Sequence, residues 1–257
     1  MSTSIEGKVC VVTGGAGGIG SAITKAYLDA GAEGVTIVDL APANLASAVA
    51  RLPVEHQGKV LTVAGDVTQQ ATHDEYVRQT VERWGRLDIS AQVAGTCASP
   101  CGILETKIED WDHAFAVNAK GVFLGLQSSV RAMIASPSGG QGCAVVLISS
   151  QFGLEGMGGF SAYTSSKFAV RGLMQVAAQE FAPKGIRVNA ICPGPIDTQM
   201  LRVNTPEQIE QIVAGVPLGR YGQPEEIASA ALFLSSKAGG FCSGTAMKVD
   251  GGMAKFA

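Results

Sequence analysis

Val9-Cys10-Val11-Val12-Thr13-Gly14-Gly15-Ala16-Gly17-Gly18-Ile19-Gly20 decides the fold. An apolar, β-branched run leads into a glycine-rich turn, and the turn leads into a stretch with helical periodicity, Ile19–Ala30. The same alternation continues outward from this unit. Short strand-like runs stand at Val9–Thr13, Val35–Asp39, Val60–Ala64, Leu87–Val93, Ala144–Ser149, Arg187–Ile191 and Ala246–Val249. Between them lie helix-like segments such as Thr68–Trp84, Trp111–Ala135, Tyr163–Ala182 and Pro224–Leu234. Strands that are apolar throughout, rather than at every second residue, belong in a sheet covered on both faces. The expectation is an α/β protein of the Rossmann type, a doubly wound parallel sheet of seven strands with helices on both faces. No polar linker divides the 257 residues, so one domain is expected, with a cofactor half at about 1–140 and a catalytic and substrate half at about 141–257.

A glycine turn between strand and helix lets backbone approach a pyrophosphate and aims the open N–H groups of the helix start at its charge. Gly14, Gly17, Gly18, Ile19 and Gly20 are the candidate contacts. Asp39, at the end of the second strand, stands 19 residues after Gly20, where a carboxylate accepts hydrogen bonds from an adenosine ribose. It would repel a 2′-phosphate, and no Lys or Arg lies in the turn or next to Asp39 in sequence, so NAD is expected rather than NADP. Asp66 and Val67, after the third strand, are candidates to meet the adenine; Asp66 also reads as a cap for the next helix.

Tyr163 and Lys167 are four residues apart and so share one helix face. A free phenol titrates near ~10, too high for proton exchange at neutral pH. An ammonium group beside it, together with an oxidised nicotinamide, is asked for about 3–4 kcal/mol in favour of the phenolate. Ser150 ends the fifth strand, where its hydroxyl can hold a substrate oxygen against the tyrosine. Asn118 is a polar residue in an apolar helical pattern. Two readings stay open for it, an amide that satisfies a helix kink and a holder of a water that relays protons to Lys167.

Together these residues resemble the short-chain dehydrogenase/reductase family. Thr13–Gly20 looks like its TGxxxGxG turn and Tyr163/Lys167 like its YxxxK pair, while Ser150 and Asn118 complete its catalytic tetrad. The resemblance covers essentially the whole chain. It implies that Pro193, Gly194, Ile196 and Thr198 hold the carboxamide side of the nicotinamide, that Lys167 reaches the nicotinamide ribose, and that Ala94 and Gly95 offer backbone to the adenosine ribose. Where the family usually reads Asn-Asn-Ala-Gly, this chain has Gln92-Val93-Ala94-Gly95. Altered strand packing is expected there before lost activity.

Bulk composition excludes other classes. With 46% hydrophobic and 16% charged residues the chain is globular, and a net charge of −3 without a Lys/Arg cluster leaves nucleic acid without a docking surface. No apolar run is long enough for a membrane span, and Met1 to Lys8 lacks a signal-peptide pattern, so a cytoplasmic protein is expected. The six cysteines read as free thiols, and the Cys97/Cys101 pair has no second cluster with which to hold zinc. His56, His73 and His113 are not spaced as ligands, so no metal is expected. The absence of Gly-x-Ser-x-Gly removes the hydrolase alternative.

The expected activity is hydride transfer between NAD(H) and a small to medium, apolar or cyclic secondary alcohol or ketone. A 3-oxoacyl thioester reductase is the alternative, and a catalytically silent NAD-binding sensor or scaffold is a second one. Candidate substrate-facing residues are Gln92, Val93, Cys97, Gln151, Phe152, Leu154, Met157, Met200 and Leu201, a mostly apolar set. Residues 198–213, including Met200, Leu201 and Val203, form a candidate lid, with Arg202 a solvated member of it. The segments around Gly121–Leu126 and Phe168–Val170 are apolar on more than one face, which points to a homo-oligomer; the family resemblance implies a tetramer.

Overall fold

Seven parallel strands form one sheet in the order β3-β2-β1-β4-β5-β6-β7. They are β1 Val9–Thr13, β2 Gly34–Asp39, β3 Val60–Ala64, β4 Ile89–Gln92, β5 Cys143–Ile148, β6 Ile186–Pro193 and β7 Ala246–Val249. The computed structural model describes residues 2–97, 99–201 and 205–255; Arg202 and Val203 of the expected lid lie outside the described residues. The helices are α1 Gly18–Asp29, α2 Pro42–Ala50, α3 Val54–Gln57, α4 Gln70–Trp84, α5 Ile108–Phe115, α6 Val122–Ala135, α7 Ser161–Phe181, α8 Pro206–Ala214 and α9 Pro224–Ser235. All seven expected strands are present, and the expected helices other than Trp111–Ala135 are displaced at their ends by a few residues at most. Among the described residues no helix is long and apolar enough to cross a membrane.

Within each strand, alternate residues serve two separate cores. Cys10 and Val12 of β1 pack with Ile23 and Tyr27 of α1 and with Ile227, Ala231 and Leu234 of α9. Val11, between them, packs on the other side with Tyr76 of α4, Leu126 and Met133 of α6, and Val170 and Met174 of α7. Ile23 and Tyr27 are fully buried, and the Tyr27 hydroxyl meets Ser235 Oγ at 2.7 Å, which ties α1 to α9. Truncating a core side chain of this size costs about 2–5 kcal/mol. The two cores leave the C-terminal edge of the sheet free for loops.

Asp88 fixes the register of β1 against β4. Its buried carboxylate accepts the Val9 amide at 3.0 Å and the Arg86 guanidinium at 2.6 and 2.8 Å, with Lys8 Nζ at 3.3 Å. Burial works to raise its pKa, but these donors outweigh it and hold the carboxyl below its usual range. Strand order reverses between β1 and β4, and a crevice opens outside their C-terminal ends, where open α/β sheets bind ligands.

Two expectations are corrected here. Trp111–Ala135 is not one helix, because α5 and α6 are joined by a π-helical turn, Ala116–Gly121. The strand read as Leu87–Val93 is shorter, since β1 pairs with it only from Ile89 to Gln92.

Candidate active site

At the strand-order reversal lies a cleft of about 840 Å³, and most of the expected cofactor residues line it: Gly14, Gly17, Gly18, Ile19, Gly20, Asp39, Asp66, Val67, Ala94, Gly95 and Thr198. Gly14 takes a left-handed conformation, φ +64°, and a Cβ there would stand 2.9 Å from the backbone of Ala94. Only glycine permits both the turn and the close approach. Across the cleft a Cβ on Gly18 would come 2.8 Å from the Thr198 methyl. Helix α1 begins after Gly17 with no side-chain cap and no acidic residue in its first turn, so its first amides stay open to an anion.

Asp39 accepts the Ala16 amide on one oxygen at 3.1 Å and the Leu40 amide on the other at 2.9 Å. It therefore holds the glycine turn as well as lining the cleft, and each oxygen keeps a further lone pair. Asp66 accepts the Thr68 amide at 2.8 Å, and α4 starts only at Gln70, so its capping role is to a turn before the helix. Arg51 and Lys25 also line this cleft, although no Lys or Arg stands in the glycine turn or next to Asp39 in sequence. The signal was hidden because Arg51 follows α2, a helix not recognised from the sequence. Arg51 donates to Ser47 Oγ at 2.9 Å, and Lys25 to Asp29 at 2.5 Å.

Ile196 keeps its side chain out of the main cleft. It is buried in the α1–α9 core, forms a bridge to Gly222, and lines a separate hollow of about 540 Å³ with Pro195 and Val216. Pro193 closes β6, and Gly194 donates to the Val249 carbonyl at 3.0 Å; neither lines the main cleft. Of this group Thr198 alone does.

The polar residues expected to do the chemistry gather behind the cleft. Asn118 sits in the π-turn, fully buried, and its amide clamps the loop after β4: Oδ1 accepts the Thr96 amide at 2.8 Å and Nδ2 donates to the Thr96 carbonyl at 2.9 Å. Nδ2 also donates to Ser166 Oγ at 3.0 Å, linking that loop to α7. Lys167 is buried with Nζ donating to the Ile148 carbonyl at 3.0 Å, and Nζ lies 5.6 Å from the centre of the Tyr163 ring. A Cβ on Gly95 would stand 3.3 Å from both Asn118 Oδ1 and Lys167 Nζ, so both groups border the same floor. Burial lowers the Lys167 pKa to about 8, against the opposing pull of the Cys97 and Cys192 thiols.

Ser150 follows β5, and its Oγ accepts the Phe152 amide at 3.1 Å, starting the 3-10 turn Gln151–Gly153. Burial pushes the Tyr163 phenol up to about 12, while the Ser150 hydroxyl acts to lower it and Cys97 to raise it. In the chain by itself desolvation of the ring dominates, so the lowering expected jointly from Lys167 and an oxidised nicotinamide is not expressed.

The expected substrate-facing residues divide. Val93 and Met200 line the cleft. Phe152 meets Tyr163 edge-on at 6.1 Å and Phe160 at 5.2 Å. The half-buried Cys97 is close enough to Tyr163 and Lys167 to affect both. Leu154 and Leu201 are half-buried, and Met157 is exposed. Gln151 is buried with Oε1 unpartnered. Gln92 does not face the substrate: it is buried in β4, donates to Ser90 Oγ at 2.7 Å, and packs against Gly125 of α6. Residues at i and i+2 of a strand share a face, so Gln92 follows Ser90 toward α6. Thr96 and Val117, not foreseen, complete the cleft beside Gly95.

Residues 14–254 match the family model described as Enoyl-(Acyl carrier protein) reductase. The 3-oxoacyl-[acyl-carrier-protein] reductase FabG of Thermotoga maritima is 37% identical over 254 residues, covering 97% of this chain and 98% of that protein. The chain belongs to the short-chain dehydrogenase/reductase family. A 2,5-dichloro-2,5-cyclohexadiene-1,4-diol dehydrogenase, LinX of Sphingobium indicum, is 34% identical with 98% of each chain covered. The crystal structure of Levodione Reductase superposes with a TM-score of 0.90 at 32% identity, covering 96% of this chain and 97% of that one. This short-chain dehydrogenase/reductase is accordingly an oxidoreductase for CH–OH or ketone groups of a small molecule, in a family that uses a nicotinamide cofactor. Its cleft fits such a group, with side-chain-free backbone at Gly18 facing Thr198, uncapped amides at α1 and carboxylates at Asp39 and Asp66.

Proposed function

We propose that this enzyme transfers a hydride between NAD(H) and a small to medium secondary alcohol or ketone, apolar or cyclic, with Asn118, Ser150, Tyr163 and Lys167 as its catalytic set. The observation that carries this reading is the convergence of the four on one floor: Asn118 and Lys167 meet at Gly95, and Tyr163 lies between Lys167 and Ser150. When bound, the nicotinamide accepts or supplies the hydride. Tyr163 exchanges a proton with the substrate oxygen at its phenol oxygen. Ser150 Oγ already accepts from Phe152, which leaves its own proton to donate to that same oxygen. Lys167 uses one of its three donors on Ile148, and the others serve the cofactor ribose and the field at the phenol. Asn118 fixes the Thr96 loop, which forms the cleft wall.

Apolar side chains at Val93, Phe152, Leu154, Met157, Met200 and Leu201 support an uncharged substrate, as does the likeness to an enzyme named for a ring diol. Residues 198–213 serve as the lid; α8, which starts inside them at Pro206 and ends at Ala214, has no residue in the core and only Ile209, Ile212 and Val213 half-buried, so little holds it down. The 37% identity to FabG favours a second reading, reduction of a 3-oxoacyl thioester. A spectrophotometric panel separates the two. NADH formation from open-chain or ring secondary alcohols is the expected result; turnover of a 3-oxoacyl thioester alone supports the second reading, turnover with NADP alone refutes the NAD assignment, and cofactor binding without any turnover points to a sensor.

Exposed Phe123 on α6, with Phe168 and Val176 on α7, supports a homotetramer built on these helices. Each phenylalanine buried in such a contact contributes roughly 1.5–3 kcal/mol. Light scattering at micromolar concentration is expected to give four times the chain mass, and a monomer overturns this assembly.

A further inference from the structure

Inside the sheet, on the face covered by α4 and α6, polar side chains link two walls of the cofactor cleft that are far apart in sequence. At one end His73 Nε2 meets the Val67 carbonyl at 2.7 Å. A carbonyl only accepts, so Nε2 carries the proton and Nδ1, at 3.1 Å from the Tyr76 hydroxyl, accepts from it. Burial raises the Tyr76 phenol to about 12, and side-chain bonding from Ser129 and Gln92 acts to lower it. At the other end Thr13 Oγ1 accepts the amides of Val93 at 3.0 Å and Ala94 at 3.3 Å, which commits its own proton to Gln92 Oε1 at 3.4 Å. That fixes the Gln92 amide, whose Nε2 donates to Ser90 Oγ, and Ser90 meets Ser129 at 2.9 Å. His73, Thr13, Ser90, Gln92 and Ser129 are all buried, so their polar groups have one another, and no bulk water, as partners. Room for Gln92 comes from Gly125, because a Cβ there would overlap the Gln92 amide.

We infer that Gln92 is a positioning residue for cofactor binding, holding the Val93–Ala94 wall through Thr13 and, through Tyr76 and His73, the Val67 wall, so that the two stay set for the adenosine half of the dinucleotide. This rests on the nucleotide reading of the cleft given above. A buried amide that merely filled space could be replaced by a hydrocarbon of its size at little cost. A fully directed network instead loses its alignment when one member is lost.

The test is binding of ADP-ribose and of NADH, followed by calorimetry and by nicotinamide fluorescence, in the wild type, in Gln92→Leu, and at the far end in His73→Leu and His73→Gln. Gln92→Leu is expected to weaken both ligands about tenfold, to raise KM for the coenzyme while leaving kcat at saturation, and to speed hydrogen exchange at Val93 and Ala94. His73→Leu acts in the same direction from the other end, and His73→Gln, which keeps a donor toward Val67, restores much of the affinity. It also keeps the question answerable if Gln92→Leu does not fold. A Gln92→Leu protein that melts earlier yet binds both ligands like the wild type overturns the inference alone. A wild type that binds neither ligand overturns the nucleotide reading along with it.

Discussion

Tyr163→Phe is expected to lower kcat by about 10²–10⁴-fold, the range that one positioned acid/base group contributes. The reason lies in what the hydroxyl does and what the ring does. The hydroxyl is the proposed site of proton exchange, whereas the ring packs edge-on against Phe152 and sits beside Lys167, contacts that phenylalanine keeps. Cofactor affinity and melting temperature are therefore expected to stay near the wild-type values, and steady-state kinetics together with a thermal melt check both. Activity within tenfold of the wild type would move the proton-transfer role to another group. Because burial holds the phenol near 12 in the chain alone, activation must come from charge that arrives with the oxidised cofactor and from the Lys167 ammonium. Lys167, held at about 8, is itself partly neutral at alkaline pH, so that contribution fades there.

Asp39→Asn is expected to lower the preference for NAD over NADP, measured as the ratio of kcat/KM values, on the order of 10²-fold. A carboxylate and a 2′-phosphate about 4 Å apart repel by about 4 kcal/mol at an effective dielectric of 20, and partial exposure and salt reduce this to about 2–3 kcal/mol. Asparagine keeps an oxygen for one of the two amides that Asp39 now accepts, so the glycine turn should survive. Arg51, on the lining of the same cleft, is then free to favour the phosphate. An unchanged ratio would mean that Asp39 acts only as a support for the turn.

The repeating strand and helix pattern was legible because a sheet covered on both faces needs continuous apolar runs, and these are visible one residue at a time. So was the grouping of the glycine turn with Asp39 and Asp66, since strand ends gather at one edge. Gln92 was misplaced for a related reason: in a doubly covered strand every residue is buried, and period alone does not say which cover a side chain faces. The polar pair Ser90 and Gln92 at i and i+2 carried that information. Helix α2 was missed because it has only two core residues, Leu45 and Ala48, and a weak start at Ala41 without a side-chain cap. Arg51 was hidden with it. Ile196 packs its side chain into the α1–α9 core while Thr198, two residues on, lines the cleft, a division that an apolar residue after a strand does not announce in sequence.

The wide turn at Ala116–Gly121 has a consequence for the helix on either side of it. A regular helix advances by about 100° per residue, so one surplus residue would swing everything beyond it away from the interior. Spread over a single loose coil, that surplus is absorbed, and Ala114 before it and Leu126, Val130 and Met133 after it all stay turned inward. The bulge that carries Asn118 is thus also the phase adjustment of a long scaffold rod. Trimming it back to ordinary pitch would misalign the packing of α6 in the same stroke that displaced the asparagine.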